Sequence, residues 1–186
     1  MNTPKLIVIT GGPGVGKSTL LRELACHQFN TVPEVARQIV KEQLKMGGDV
    51  LPWDDKQAFA DLMLARSITV EDEIRADLEE DETVFFDRGM PDILSYVDLS
   101  GLERNRQLLD AVEKYPYHKT VFILPPWQEI YVIDEERMQD FSEAQRTDDS
   151  LRKVYKECGY EIIEVPRVPV GERAEFIMKK ISIEIS

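Results

Sequence analysis

A run of glycines near the start of the chain ends in a lysine and two hydroxyl residues. Positions 11–19 read Gly-Gly-Pro-Gly-Val-Gly-Lys-Ser-Thr and fit the spacing G-x-x-x-x-G-K-[ST]. Glycines let a loop curl so that its backbone N–H groups point inward and form a nest for anions. We expect every residue of this phosphate loop to help bind a nucleoside triphosphate: Gly11, Gly12, Pro13, Gly14, Val15, Gly16, Lys17, Ser18 and Thr19.

The last three residues of the loop have different expected tasks. Lys17 supplies a mobile positive charge for the β- and γ-phosphates, and it opens a helix whose positive dipole end faces them. Ser18 supplies a hydroxyl ligand for Mg²⁺, and Thr19 should lie near the α-phosphate. A glycine turn that fits the pattern by chance is the alternative, but the apolar strand before the loop and the helix after it favour a phosphate site.

The nucleotide is expected to be ATP, bound together with Mg²⁺. A guanine site is typically marked by N-K-x-D after a late strand, and the sequence has no such motif. The expected base site is the turn 166–170, because it follows the last predicted strand and should lie beside the phosphate loop. A proline-rich turn with a purely structural role is the alternative.

An acid and an arginine follow the third predicted strand. Asp87 comes directly after Val-Phe-Phe, where an acid commonly helps to hold Mg²⁺. Motor-type ATPases usually continue with a second acid that activates water, whereas Arg88 follows here. This pair suits a phosphotransferase, because Asp87 can contact the metal or the acceptor and Arg88 can steady the transferring phosphate. The alternative for Arg88 is a surface ion pair.

A second charged pair follows the second predicted strand. Glu34 and Arg37 stand three residues apart, so they share one face of the next helix. Glu34 could accept a proton from an attacking hydroxyl or bind a sugar hydroxyl, and Arg37 could hold an anionic acceptor. The alternative is an ordinary ion pair on a helix surface, which stabilises a helix by only a few tenths of a kcal/mol.

A charged segment at 128–147 follows the fourth predicted strand. It carries Arg137 and Arg146 among many acids. A helical lid here could close over the phosphates, supply both arginines to catalysis and exclude water. A solvated helix with internal ion pairs is the alternative.

Strands and helices alternate along the chain. Lys5–Thr10 is a continuous apolar run that predicts a buried strand, and further strands are predicted at Phe29–Val32, Thr83–Phe86, Thr120–Leu124 and Glu161–Val165. Helices are predicted at Lys17–His27, at Glu34–Met46 with Gly47-Gly48 as its end, and from a cap at Asp54 or Asp55 to about Glu80. Further helices are predicted at Leu102–Glu113, over 128–147, in a short helix that Ser150 caps and Gly159 ends, and at the C-terminus. This order predicts an α/β three-layer sandwich, with a five-stranded parallel sheet between helices on both faces. Ligands of such sheets bind at the carboxyl ends of the strands.

Composition limits the remaining possibilities. The chain has 186 residues and a formal net charge of −12. It suits a single domain over 1–186 with a lid, and its acidity disfavours nucleic acid as a partner. Cys26 and Cys158 are too few for a disulfide framework or a zinc site. Because no apolar stretch is long enough for a signal-peptide core or a membrane span, a soluble cytoplasmic protein is expected.

Taken together, these motifs resemble the bacterial ATPases labelled AAA. The resemblance rests on the phosphate loop, Val-Pro-Glu-Val-Ala-Arg at 32–37, Phe-Phe-Asp-Arg-Gly-Met-Pro-Asp at 85–92 and Glu-Arg…Arg-Thr at 136–147, and it covers nearly the whole chain. It implies a P-loop NTPase fold closer to nucleoside and nucleotide kinases than to AAA motors. Residues 34–37 are also similar to nicotinamide riboside kinases, and Glu34 to deoxynucleoside kinases, although the latter have Glu-Arg-Ser where this chain has Asp-Arg-Gly at 87–89.

The resemblance implies roles for individual residues. Glu34 would be the base on the acceptor side, Asp87 a metal or acceptor ligand, and Arg88 a phosphate contact, with Arg137 and Arg146 as lid arginines. The first hypothesis is a kinase that moves the γ-phosphate of ATP to a small nucleoside-like or other acceptor. The second is a regulatory ATPase that acts as a switch on a protein partner.

Overall fold

A parallel β-sheet forms the centre of the molecule. The structure is a computed structural model that describes residues 4–128 and 141–183. Its five strands lie in the order β2-β3-β1-β4-β5, and every neighbouring pair is parallel. The strands are β1 Lys5–Gly11, β2 Asn30–Val32, β3 Thr83–Asp87, β4 Thr120–Leu124 and β5 Glu161–Glu164.

Seven helices in the described residues flank the sheet. They are α1 Lys17–Cys26, α2 Val35–Met46, α3 Lys56–Asp77, α4 Met90–Leu99, α5 Arg106–Lys114, α6 Phe141–Glu157 and α7 Val170–Ile183. None of the described helices is long and apolar enough to cross a membrane.

Strand β1 is buried on both faces, which explains its unbroken apolar run. Ile7 and Ile9 point to one side, where α1 and α7 cover them. Leu6 and Val8 point to the other side, where α6 covers them. A further core joins α2, α3, α4 and α5, and it includes the buried Phe59 of α3. The three-layer α/β sandwich predicted from the sequence is confirmed.

Several predicted helix ends are confirmed. The Asp55 side chain caps α3 by accepting a hydrogen bond from the backbone N–H of Ala58 at 2.9 Å. Gly47 ends α2 in the left-handed region with φ +67°, and Gly159 follows α6 with φ +83°.

Two predictions about helices are wrong. Helix α4 was not predicted, because most of its residues are buried, polar Asp92 and Ser95 among them, and the helix therefore lacks the exposed polar side of a surface helix. Ser150 does not cap a short helix, since it lies inside the continuous helix α6, where its hydroxyl hydrogen-bonds the Ser95 hydroxyl at 2.8 Å. The lid was predicted to end at residue 147, but helix α6 continues through this position without a break. The predicted lid residues 129–140 lie outside the described residues.

Candidate active site

The phosphate loop lies between β1 and α1, as predicted. Gly11, Gly14 and Gly16 have φ values of +144°, +76° and +90°, which residues other than glycine rarely adopt. A Cβ atom on Gly11 would lie 2.5 Å from the carbonyl oxygen of Leu124, at the end of β4. Glycine at position 11 is therefore required both by the backbone conformation and by the close approach of β4.

Lys17 is held inside the loop. Its Nζ donates hydrogen bonds to the carbonyl oxygens of Gly11 and Gly12, both at 2.9 Å. Burial and the nearby Arg88 lower the pKa of Lys17 to about 8, against the opposing effect of Asp87. A triphosphate would replace carbonyl dipoles with full negative charges and so favour the charged ammonium.

Ser18 and Asp87 form an arrangement that suits a divalent cation. The Ser18 hydroxyl lies 3.5 Å from Oδ2 of Asp87. Oδ1 of Asp87 is buried and has no hydrogen-bond partner among the described residues. Burial raises the pKa of Asp87, although Lys17 opposes the rise. Because a buried carboxylate oxygen without a partner is costly, Asp87 fits a hard cation such as Mg²⁺. No cluster of three or more His, Cys, Asp or Glu side chains in the described part of the chain offers another metal site.

Arg88 lies at the junction of two carboxylates. Its Nε donates to Oε1 of Glu34 at 2.8 Å, and its Nη1 donates to Oδ1 of Asp92 at 2.9 Å. The backbone of Arg88 is left-handed, with φ +74°, and its N–H donates to the carbonyl oxygen of Ile9 on β1 at 3.0 Å. Although burial opposes the charge on Arg88, Glu34 and Asp92 outweigh it and raise its pKa further above its usual range.

Glu34 is ionised next to this guanidinium. Burial alone would raise the pKa of Glu34, but Arg88, Lys17 and Arg37 together hold it below its ordinary value. The neighbouring strands β2 and β3 explain the contact, since Glu34 follows one and Arg88 follows the other. Arg37 is the weaker partner, because its Nε is 4.0 Å from Oε2 of Glu34 and the side chain is largely exposed.

Asp92 is the residue of this site to which the sequence patterns assigned no role. Its two carboxylate oxygens accept four hydrogen bonds, from the Thr10 hydroxyl, Arg88 Nη1, the backbone N–H of Gly89 and the Tyr155 hydroxyl. The sequence did contain one indication of its role, because an acid four residues after Arg88 can form an ion pair with it on a helix. Only the fold shows that β1 and α6 supply the remaining donors. Asp92 thereby fixes Arg88 without itself being placed to react.

A second unpredicted network supports the turn that follows Arg88. The Tyr117 hydroxyl accepts from the backbone N–H of Met90 at 3.1 Å and is hydrogen-bonded to the buried carboxyl of Glu71. Arg75 also donates to Glu71, at 2.9 Å. Burial raises the pKa of Glu71 even though both of these partners lower it. The ring of Tyr117 packs so closely on Gly89 that a Cβ there would lie 2.8 Å from it.

Of the two predicted lid arginines, the structure describes only Arg146. Arg137 lies outside the described residues. Arg146 is exposed on α6, and its Nη1 lies 3.4 Å from the Ser142 hydroxyl. The first turns of α6 nevertheless border the phosphate loop, because a Cβ on Gly12 would lie 3.0 Å from the carbonyl oxygen of Ala144. The role of both arginines remains a prediction.

The turn 166–170 lies beside the loop, as expected for a base site. Arg173 connects the two, since its Nε donates to the carbonyl oxygen of Val168 at 2.6 Å and its Nη1 to that of Val15 at 3.4 Å. The guanidinium also stacks on the ring of Trp127, 4.8 Å from its centroid. A flat base could extend this stack, but its binding there remains a prediction.

One open cavity of ≈ 1570 Å³ connects these groups. Lys17, Ser18, Glu34, Asp87 and Arg88 all line it. It continues from the phosphate loop between α2, α3 and α4, where Arg37 also lines it. Five charged residues that the sequence patterns singled out therefore line this one cavity.

The chain has a P-loop kinase-like α/β fold. A NadR protein solved in complex with NR is similar to it, with a TM-score of 0.71 and 17% identity over 96% of this chain and 50% of that chain. This chain thus spans half the length of that relative. A deoxyadenosine kinase from M. mycoides has a TM-score of 0.63 and 18% identity over 97% and 100% of the two chains. A thymidylate kinase from Candida albicans has a TM-score of 0.63 and 15% identity, over 98% and 92%.

The sequence itself places the chain in a family. It belongs to the AAA_28 family, described as an AAA domain, whose family model matches residues 6–173. No curated protein matches the sequence. The resemblance to AAA-labelled ATPases with a kinase-like fold is confirmed.

Proposed function

We propose that the protein is a kinase-like phosphotransferase that moves the γ-phosphate of ATP to a small acceptor. The observation that carries this proposal is the Glu34–Arg88 contact at 2.8 Å, on the wall of the cavity that holds Lys17 and Asp87. At this place, a carboxylate can bind an acceptor hydroxyl and a guanidinium can stabilise the phosphate that is being transferred. A hydrolase instead needs a group that activates water.

Each residue of the site has a separate role in the proposed reaction. The loop N–H groups and Lys17 hold the phosphates, and Ser18 and Asp87 hold Mg²⁺, which neutralises charge on the phosphate oxygens when bound. Arg88 is fixed from two sides and so stabilises charge without reorganisation. The lowered pKa of Glu34 makes it a weak base. Its main task is therefore to bind and orient the acceptor hydroxyl, which suits a reaction that depends mostly on positioning.

The similar structures support a small acceptor. They include a deoxyadenosine kinase, a thymidylate kinase and a shikimate kinase. All three are kinases, and each name refers to a small molecule. Because identities are 15–18%, these structures support the class of reaction and leave the acceptor to be identified by experiment.

Glu34→Gln tests the proposal, with Glu42→Gln as the matched control. Glu34 directly precedes α2 and pairs with Arg88, whereas Glu42 lies within α2 and pairs with Arg66 at an exposed position. Labelled ATP is incubated with a panel of nucleosides, nucleotides and other hydroxyl acceptors. We expect Glu34→Gln to lower transfer about 100-fold, since the acceptor hydroxyl is no longer held in the orientation for attack, and to leave ATP binding intact. Glu42→Gln should leave both unchanged.

Two results would contradict the proposal. One is rapid ATP hydrolysis with no labelled acceptor in the panel. The other is transfer that is equally fast in Glu34→Gln and in the unaltered protein, which would reduce Glu34 to a structural ion pair. Normal ATP binding in Glu34→Gln excludes misfolding as the cause of a loss.

The membership in an AAA-domain family favours a second candidate function, that of a regulatory ATPase acting on a protein partner. In that case the same phosphate loop controls partner binding according to the nucleotide that it holds. Pull-down experiments with the tagged full chain, loaded either with a non-hydrolysable ATP analogue or with ADP, test it. A partner retained only with the ATP analogue supports the switch, and equal retention with both nucleotides counts against it.

A further inference from the structure

The cavity is larger than one triphosphate requires. Small-molecule sites typically measure about 300–1,000 Å³, whereas this cavity measures ≈ 1570 Å³. Its part beyond the phosphate loop lies between α2, α3 and α4. We call it the acceptor pocket and define it by Arg37, Val40, Lys41, Trp53, Lys56 and Phe59. It has room for a second ligand, so its chemistry indicates what that ligand is.

The wall of the acceptor pocket is apolar and aromatic. Phe59 is buried and packs edge-on against Tyr96, with ring centroids 5.5 Å apart. At the opening, Trp53 is 62% exposed, Leu44 59% and Leu99 48%, and all three line the cavity. Only one other large hydrophobic side chain in the described part of the chain is so exposed. Exposed apolar side chains gathered at one opening mark a surface that a ligand covers.

The charges of the cavity oppose those of the whole chain. The chain has a net charge of −12, yet lysines and arginines lining the cavity outnumber its aspartates and glutamates, seven to five. In the acceptor pocket, Arg37 and Lys41 share one face of α2 at a spacing of four residues, and Lys56 begins α3. Neither lysine forms an ion pair with a residue that the structure describes. The pocket therefore attracts an anion in spite of the acidic chain.

We propose that the acceptor is a ring-bearing anion, with its ring against Trp53 and the Phe59–Tyr96 pair and its negative group near Lys41 and Lys56. A nucleoside monophosphate has this chemistry, whereas a neutral nucleoside lacks the charge. The inference rests on the proposed function in calling this ligand the acceptor. Binding of the ring-bearing anion can nevertheless be measured without any turnover.

The test measures binding with the donor site already filled. The full chain is saturated with a non-hydrolysable ATP analogue and Mg²⁺, and nucleosides and their 5′-monophosphates are titrated in turn by calorimetry. We expect at least one monophosphate to bind about tenfold or more tightly than its nucleoside, with an affinity that falls as salt is added. Trp53→Ala should weaken it as well, because a stacking surface is lost.

Lys41→Ala and Lys45→Ala form a matched pair of variants. Both lysines are exposed on α2, but only Lys41 lines the cavity. We expect Lys41→Ala to weaken the monophosphate roughly 2- to 5-fold, as the loss of one exposed charge does, and Lys45→Ala to change nothing. The double variant Lys41→Ala/Lys56→Ala should lose most of the preference for the charged compound.

Three results would overturn the inference: no monophosphate binds, the neutral nucleosides bind equally well, or Lys45→Ala weakens binding as much as Lys41→Ala does. Its failure is distinct from failure of the proposed function. Neutral nucleosides that are phosphorylated without dependence on Lys41 would refute the inference and keep the kinase. Monophosphates that bind through Lys41 but are never phosphorylated would keep the site and refute the kinase.

Discussion

Asp92→Asn should destabilise the protein far more than a similar change elsewhere on the same helix. The Asp92 side chain is 5% exposed, and its two oxygens receive four donors. Asparagine keeps one acceptor oxygen and presents an NH₂ group in place of the other. Whichever way the amide lies, it faces an N–H that can only donate, either that of Gly89 or that of Arg88.

The magnitude follows from these contacts. A hydrogen bond to a charged group contributes about 1.5–3 kcal/mol, and an unsatisfied buried donor costs a similar amount. Since at least one such bond is lost and Arg88 keeps only Glu34 as a charged partner, we expect a loss of about 3 kcal/mol in the free energy of unfolding. For a chain of this size that corresponds to a fall of about 6–12 °C in Tm.

Asp98→Asn is the control. Asp98 also lies on α4 and accepts two hydrogen bonds from Arg104, but its side chain is 27% exposed. Solvent screening limits its expected loss to less than about 1 kcal/mol. Urea unfolding at pH 7 gives both free energies, and calorimetry gives both Tm values. If the two variants lose equal stability, burial of the Asp92 carboxylate does not organise this site and the reasoning about Arg88 fails.

Two further predictions concern groups beside the reacting phosphate. Because Lys17 has a pKa of about 8 and phosphates favour its charged form, nucleotide affinity should be constant below about pH 8 and fall above it. Fluorescent nucleotide titrations should show this fall, and its persistence in Lys17→Met would assign it to another group. Tyr117→Phe keeps the ring but removes the hydroxyl that bonds Met90 and Glu71, so we expect a loss of about 1–2 kcal/mol and faster hydrogen exchange at the Met90 amide. Unchanged exchange at Met90 would contradict the role of Tyr117 in holding that turn.

The phosphate loop and the sheet could be predicted from local patterns. The loop needs a fixed spacing of glycines and lysine, and β1 is buried on both faces, so both leave strong signals in the sequence. The same patterns placed Glu34 and Arg88 at strand ends. They could not predict the partner of Glu34, because that depends on β2 lying beside β3. An ion pair between Glu34 and Arg37 was the alternative to a functional role, whereas Arg88 is the closer partner of Glu34 in the structure.

Asp92 and α4 could not be predicted from the same kind of pattern. A buried acid is recognisable only by its donors, and these come from β1 and α6 as well as from its own turn. Most of α4 is buried, including its polar residues Asp92 and Ser95, so its polar side chains do not mark a solvent-facing side as they do on a surface helix. The long-range contacts of the site therefore became visible only with the fold.

These contacts explain why a strained residue can stand at the centre of the site. A left-handed backbone at a non-glycine residue costs about 1–2 kcal/mol, and Arg88 has φ +74°. The Ile9 carbonyl holds its backbone, Glu34 and Asp92 hold its side chain, and Tyr117 holds the turn that follows. Together these bonds exceed that cost, so the guanidinium is in place before any nucleotide arrives. A group fixed in advance stabilises developing charge without reorganising, which is what phosphoryl transfer requires of an arginine.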